Sequence, residues 1–92
     1  MEFEWDEAKS ASNLAKHGVS FEEALTVFDD SLALIFDDEE HSGTEPREII
    51  IGYSSRQRLL VVCFTERLVA VRIISARSVT RRERQDYEEN VR

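Results

Sequence analysis

Nine arginines fall between residues 47 and 84, and three of them stand where chemistry is to be expected. Arg72 interrupts the run Val69-Ala70-Val71-Arg72-Ile73-Ile74-Ser75-Ala76, in which every other side chain is apolar or small. A guanidinium is almost never buried unpaired, so Arg72 must either meet a carboxylate such as Glu48 across a sheet or face a groove. Arg47 opens a second strand-like run, and Arg77 follows the first run directly. With a period of two, Arg72, Ile74 and Ala76 share one face and Arg77 takes the other, unless a bulge or the strand end re-aims it. A concave sheet lined by arginine suits phosphate, because the planar fork donates two hydrogen bonds at once and never deprotonates. A second polar group lies near the N-terminus. At about 100° per residue, Asp6, Lys9, Asn13, Lys16 and His17 fall within roughly a third of a helix circumference.

Other chemistries find less support. The cluster Asp37-Asp38-Glu39-Glu40-His41 lacks the glycine and ligand spacing of a calcium loop and the H-x-x-x-H of a zinc helix, so it reads as a solvated hairpin loop and no metal is expected. Cys63 sits in the apolar run Leu59-Leu60-Val61-Val62-Cys63-Phe64 and reads as core filler. A single cysteine allows no internal disulfide and suits a reducing compartment. The net charge of -7 argues against a nucleic-acid partner at first sight. Its distribution argues the other way. Residues 1 to 46 carry two lysines against thirteen carboxylates, a balance of -11, whereas residues 47 to 84 carry nine arginines against three carboxylates, a balance of +6. An electropositive sheet beside an acidic region of helix and loop is implied. The plainer alternative is that these arginines are solvated and pair with the surplus carboxylates.

The elements that must position these groups follow from patterning. Ninety-two residues suffice for one α+β domain over 1–92 and are too few for two. No apolar run approaches a membrane span, and the first residues are acidic where a signal peptide would be basic, which points to the cytoplasm. Phe3 and Trp5 alternate with Glu2 and Glu4 as a short edge strand would. Asp6 caps a helix from Glu7 to His17, with Ala8, Ala11 and Ala15 on one face and Gly18 ending it. Ser20 and Glu23 form a capping box with Val19 and Ala24 as its staple, and Phe21, Ala24, Leu25 and Phe28 have the spacing of a core-facing helix. Four strands are expected, at 32–36, 47–53, 58–65 and 69–76; the hairpin-length connections make the last three an antiparallel meander. Thr80 and Glu83 form a second capping box, opening a polar helix through Asn90 whose large apolar residues are Tyr87 and Val91. Tyr87 reads as a core anchor rather than a catalytic phenol.

Three stretches together resemble the BrnT toxin family. They are Trp5-Asp6-x-x-Lys9-x-x-x-Asn13-x-x-Lys16-His17-Gly18-Val19-Ser20-Phe21-Glu22-Glu23-Ala24 with Val27-Phe28-Asp29, then Glu45-x-Arg47-x-x-x-x-Gly52, and then Val71-Arg72-Ile73-Ile74-Ser75-Ala76-Arg77 with Glu83-Arg84-x-x-Tyr87-Glu88. The resemblance implies a RelE-like α+β fold, two N-terminal helices on one face of a small antiparallel sheet with a C-terminal helix. It also implies a ribonuclease toxin that blocks translation and is neutralised by a BrnA-like, ribbon-helix-helix antitoxin. The complex, rather than this chain, would bind operator DNA. A metal-free ribonuclease uses the neighbouring 2′-hydroxyl as nucleophile, which requires a proton acceptor, a proton donor and cations for the charge on phosphorus. Arg47, Arg72 and Arg77 are the candidates for phosphate and transition-state contacts, and His17 for acid or base. Lys9, Lys16 and Asn13 are the candidates for RNA binding, and no cofactor is called for. The competing expectation is a noncatalytic module whose arginine face contacts an acidic protein segment.

Overall fold

The computed structural model describes residues 1–41, 43 and 45–90. Val91, Ser42 and Thr44, and the side chain of His41, lie outside the described residues, so the expectations placed on them are not taken further. The chain runs β1 (Phe3–Glu4), α1 (Glu7–His17), α2 (Phe21–Leu25), a 3-10 turn (Thr26–Asp29), β2 (Leu34–Asp37), a second 3-10 turn (Glu39–His41), β3 (Glu48–Tyr53), β4 (Leu59–Glu66), β5 (Val71–Ser78) and α3 (Arg81–Asn90). The strands form one sheet in the order β1-β5-β4-β3-β2. Strands β2 to β5 are an antiparallel meander. β1 joins β5 in parallel, pairing Phe3 with Val71 and Glu4 with Arg72, so the sheet is mixed rather than wholly antiparallel.

Alternation along β3 and β4 sorts the apolar side chains to two faces. Ile50, Leu60, Val62, Phe64, Ile73 and Ala76 meet Val19, Phe21, Ala24 and Val27 in the main core. Phe28 bridges Phe3 and Phe64, with ring centroids 5.0 Å apart on both sides. On the other face Ile51, Leu59 and Val61 pack with Tyr87 of α3. Helices therefore lie against both faces, α2 on the main core and α3 on the other side. The reason lies in β3 and β4, which are apolar on both sides and need cover on both.

The N-terminal capping residues behave as their types require. Asp6 accepts from the Ala8 and Lys9 amides, and Gly18 closes α1 in the left-handed conformation. Thr80 and Glu83 cap α3 reciprocally at 3.1 and 2.8 Å. At α2 only half of the expected box forms. Ser20 accepts from the Glu23 amide, but the Glu23 carboxylate turns inward to Arg58 and the Ser54 hydroxyl. That partly buried cluster ties α2 to the β3–β4 turn, and the guanidinium and hydroxyl hold the Glu23 carboxyl below its usual range against the opposing effect of burial.

The packing face of α1 differs from expectation. Ala8, Ala11 and Ala15 are exposed, whereas Ser10 and Asn13 are buried. Asn13 donates to the carbonyls of Val19 and Ala76 at 2.9 and 2.8 Å and accepts from the Ala76 amide at 3.1 Å. Strand β1 covers β5 only as far as Arg72. Beyond it the open edge of β5 needs another partner, and the Asn13 amide supplies one. This satisfies three buried backbone groups, which three alanine methyls could not do.

Candidate functional site

A bulge decides where the arginines point. Phe64 pairs with Ile73 and Cys63 with Ser75, leaving Ile74 as the extra residue of β5. The extra residue reverses the alternation. Ala76 joins Ile73 in the core, and Arg77, which pairs with Val61, comes to the same face as Arg72, which pairs with Thr65. Arg72 and Arg77 thus share one face, and Ala76 takes the other. Continuing the β3–β4 register by one residue sets Arg47 beside Thr65, two strands and about 10 Å from Arg72.

Two adjoining hollows open on this face. The first, of about 380 Å³, is lined by Lys9, Gly43, Glu45, Arg47, Thr65, Arg67, Arg72 and Ile74. The second, of about 350 Å³, is lined by Asp38, Glu40, Arg47, Ile49, Val61, Cys63, Ile74, Ser75 and Arg77. Arg47 and Ile74 line both, so the three expected arginines border one continuous depression.

Their partners differ in tightness. Arg72 lies 3.5 Å from the Glu4 carboxylate across the parallel pair, a loose contact with both side chains partly exposed. The expected alternative, Glu48, lies on the opposite face with its pairing partner Phe64. There burial, then the negative charges of Glu66 and Asp37, push the Glu48 carboxyl up. Arg77 is gripped bidentately by Glu83 at 2.7 and 2.9 Å. The Arg77 fork and the Thr80 amide outweigh burial and lower Glu83 to about 2. One carboxylate therefore caps α3 and fixes the orientation of Arg77.

The N-terminal stripe is divided by the fold. Lys9 lines the first hollow. Asn13 is buried, with its amide bonded to the Val19 carbonyl and to both backbone groups of Ala76, and it positions α1 on β5. Lys16 and His17 are exposed and line neither hollow. His17 follows Lys9 by eight residues, which on a helix is about 12 Å. The sequence could not show that separation from the arginines. Sequence reasoning also passed over Glu45 and Arg67, which meet at 3.0 Å in the first hollow. The available signal was weak, an acid two residues before Arg47.

Cys63 is half-buried, with its sulfur 3.9 Å from an Asp38 oxygen. Burial first and the Asp38 charge second push its thiol up, which disfavours the reactive thiolate. Tyr87 is buried and donates to Asp30 at 3.0 Å. Burial and the Asp30 carboxylate raise its hydroxyl to about 12, as suits an anchor. Among the described residues no group of three or more His, Cys, Asp and Glu side chains is placed to hold a metal ion. No helix among them is long and apolar enough to cross a membrane.

No curated protein matches the chain. Among solved structures it is similar to the crystal structure of the Brucella abortus ribonuclease toxin BrnT, with 27% identity and a TM-score of 0.67 over 88% of this chain and 99% of that one. Residues 5–83 match the model of one family, described as the ribonuclease toxin BrnT of type II toxin-antitoxin systems. That match spans most of the chain, including Lys9, Arg47, Arg72 and Arg77, and the chain belongs to the BrnT family of ribonuclease toxins.

Proposed function

We propose that this chain is a metal-independent endoribonuclease that cleaves RNA through its own 2′-hydroxyl, and that the arginine-lined depression is its active site. The observation that carries this reading is the β5 bulge, which turns Arg77 to the face of Arg72. Arg47 and Arg72, with Lys9, hold the scissile phosphate in the first hollow and offset the charge that grows on its oxygens. Arg77, pre-set by Glu83, contacts a neighbouring phosphate. Proton transfer falls to Glu45 rather than His17, since Glu45 lines the hollow and His17 does not. A carboxylate held by Arg67 can accept the 2′-hydroxyl proton as the 2′-oxygen bonds to phosphorus and, as the acid so formed, return it to the 5′-oxygen that departs as the P–O5′ bond breaks.

A BrnA-like antitoxin of the ribbon-helix-helix class neutralises the toxin in the cytoplasm, and operator DNA is bound by the complex. The family match supports an antitoxin partner. The product distinguishes the mechanism. Cleavage by the 2′-hydroxyl, in excess chelator, leaves a 2′,3′-cyclic phosphate on the upstream fragment. Cleavage that needs added magnesium, or that leaves a 5′-phosphate on the downstream fragment, contradicts it. A noncatalytic binding module would show no turnover.

A further inference from the structure

The sheet has a second unfilled surface away from the arginines. Strand β2 is the last in the order, so its outer edge pairs with no strand among the described residues. Ile35 and Phe36 on it are 55% and 46% exposed. Between β2 and α3 runs a groove of about 520 Å³, floored by Leu34, Phe36, Ile49, Ile51 and Tyr87 and rimmed by Glu83, Asp86 and Asn90. An exposed apolar edge strand is a standing invitation to pairing, and proteins that do not use one usually blunt it with lysine, proline or a bulge. Over Leu34–Asp37 the sequence has none of these.

Three features identify the occupant. Glu83 on the rim is already paired with Arg77, and the charges left beside the groove, Asp86 and Asp37 at the end of β2, are acidic, so a second copy of this chain would set like charges against each other. A partner bearing lysine or arginine would not. The groove is continuous with the arginine depression, because Ile49 lines both and the Arg77–Glu83 pair spans the boundary between them. A segment lying in the groove is therefore led toward the cations. The free edge, finally, offers backbone donors and acceptors to an extended chain.

We infer that this groove is the docking site of the antitoxin. An extended antitoxin segment adds as a strand outside β2, sets apolar side chains on Leu34, Phe36 and Ile49, places basic residues at Asp86 and Asp37, and carries acidic residues onward to Arg77 and Arg47. This rests on the family assignment, which implies an antitoxin, and not on the proposed chemistry of cleavage.

The test uses the full chain and the antitoxin encoded with it. Ile35→Ser with Phe36→Ser removes exposed apolar surface, and Asp86→Arg separately reverses the rim charge on an exposed turn of α3. The double variant should bind antitoxin on the order of 100-fold more weakly and Asp86→Arg about tenfold more weakly, with RNA cleavage by the free toxin unchanged. Amide exchange at residues 34–37 should slow on complex formation. Affinity within twofold of the parent in both variants, with unchanged exchange at β2, overturns the inference. So does a free toxin that is dimeric and becomes monomeric in the double variant, because the groove is then a self-association surface. Should the parent bind antitoxin but cut no RNA, loss of antitoxin binding in these variants still supports the docking site, and only the cleavage reading fails.

Discussion

Arg72 and Arg77 share a residue type and a face, but their surroundings assign them different work. Arg72, loosely paired with Glu4, keeps its fork available, whereas Arg77 is held by a carboxylate that also caps α3. Arg72→Lys should therefore fail to restore cleavage in a protein that folds normally, because a point charge on a flexible stem does not reproduce a bidentate fork. Full activity in that variant would count against phosphate contact by Arg72. Glu83 carries a prediction about stability. Its pKa in the folded chain is about 2 against an ordinary 4.5, so its stabilising contribution is complete above about pH 4.5 and is lost as pH falls toward about 2. Glu83→Gln should melt lower at neutral pH and lose less on acidification than the parent. A parallel acid dependence in both would place the loss elsewhere. Asn13 and Lys9, close together on α1, should separate cleanly. Asn13→Ala strands three backbone partners and should cost about 2–4 kcal/mol in denaturant melts. Lys9→Ala should weaken RNA binding and leave stability within about 0.5 kcal/mol.

At the scale of elements, close approach and local pairing decide what composition alone does not. Gly52 lies where β3 passes the turn after α2, and a Cβ there would stand 2.9 Å from Ala33 Cβ and 3.0 Å from Asp30 Oδ2. The same Asp30 oxygen accepts from the Tyr53 amide and the Tyr87 hydroxyl, joining β3 and α3. Gly52→Ala should destabilise by about 1–3 kcal/mol through overpacking, read as a lower denaturant midpoint. Much of this architecture is written in local chemistry. Asp6, Ser20 and Thr80 mark the helix starts because short polar side chains satisfy orphan amides wherever they fall. The meander follows from the short turns between apolar runs. Two features were out of reach for a common reason. The packing face of α1 depends on the open edge of β5, which exists only because β1 is two residues long. The bulge at Ile74 depends on the register with β4, and without that register the period of two sends Arg77 to the wrong face. Long-range pairing fixes both, and no window along the chain contains it.

For the whole molecule, the charge asymmetry seen along the chain becomes a division of surface. Arginines border the depression on the sheet, while carboxylates gather in α2, the turn after it and the loop after β2, whose Asp38 and Glu40 reach the second hollow. An antitoxin reaching both surfaces should associate more slowly as salt rises, with a smaller change in dissociation, because screening acts mainly on long-range steering. Association rates that do not respond to salt would remove electrostatics from the encounter. The central claim, that the arginine depression cleaves RNA, is tested most directly by multiple-turnover cleavage in excess chelator with the parent and Arg72→Ala side by side. The parent should cut many RNA molecules per toxin molecule, and Arg72→Ala, with an unchanged melting temperature, should be slower by on the order of 100-fold or more. Equal turnover by the folded variant, or no turnover by the parent until magnesium is added, would contradict it.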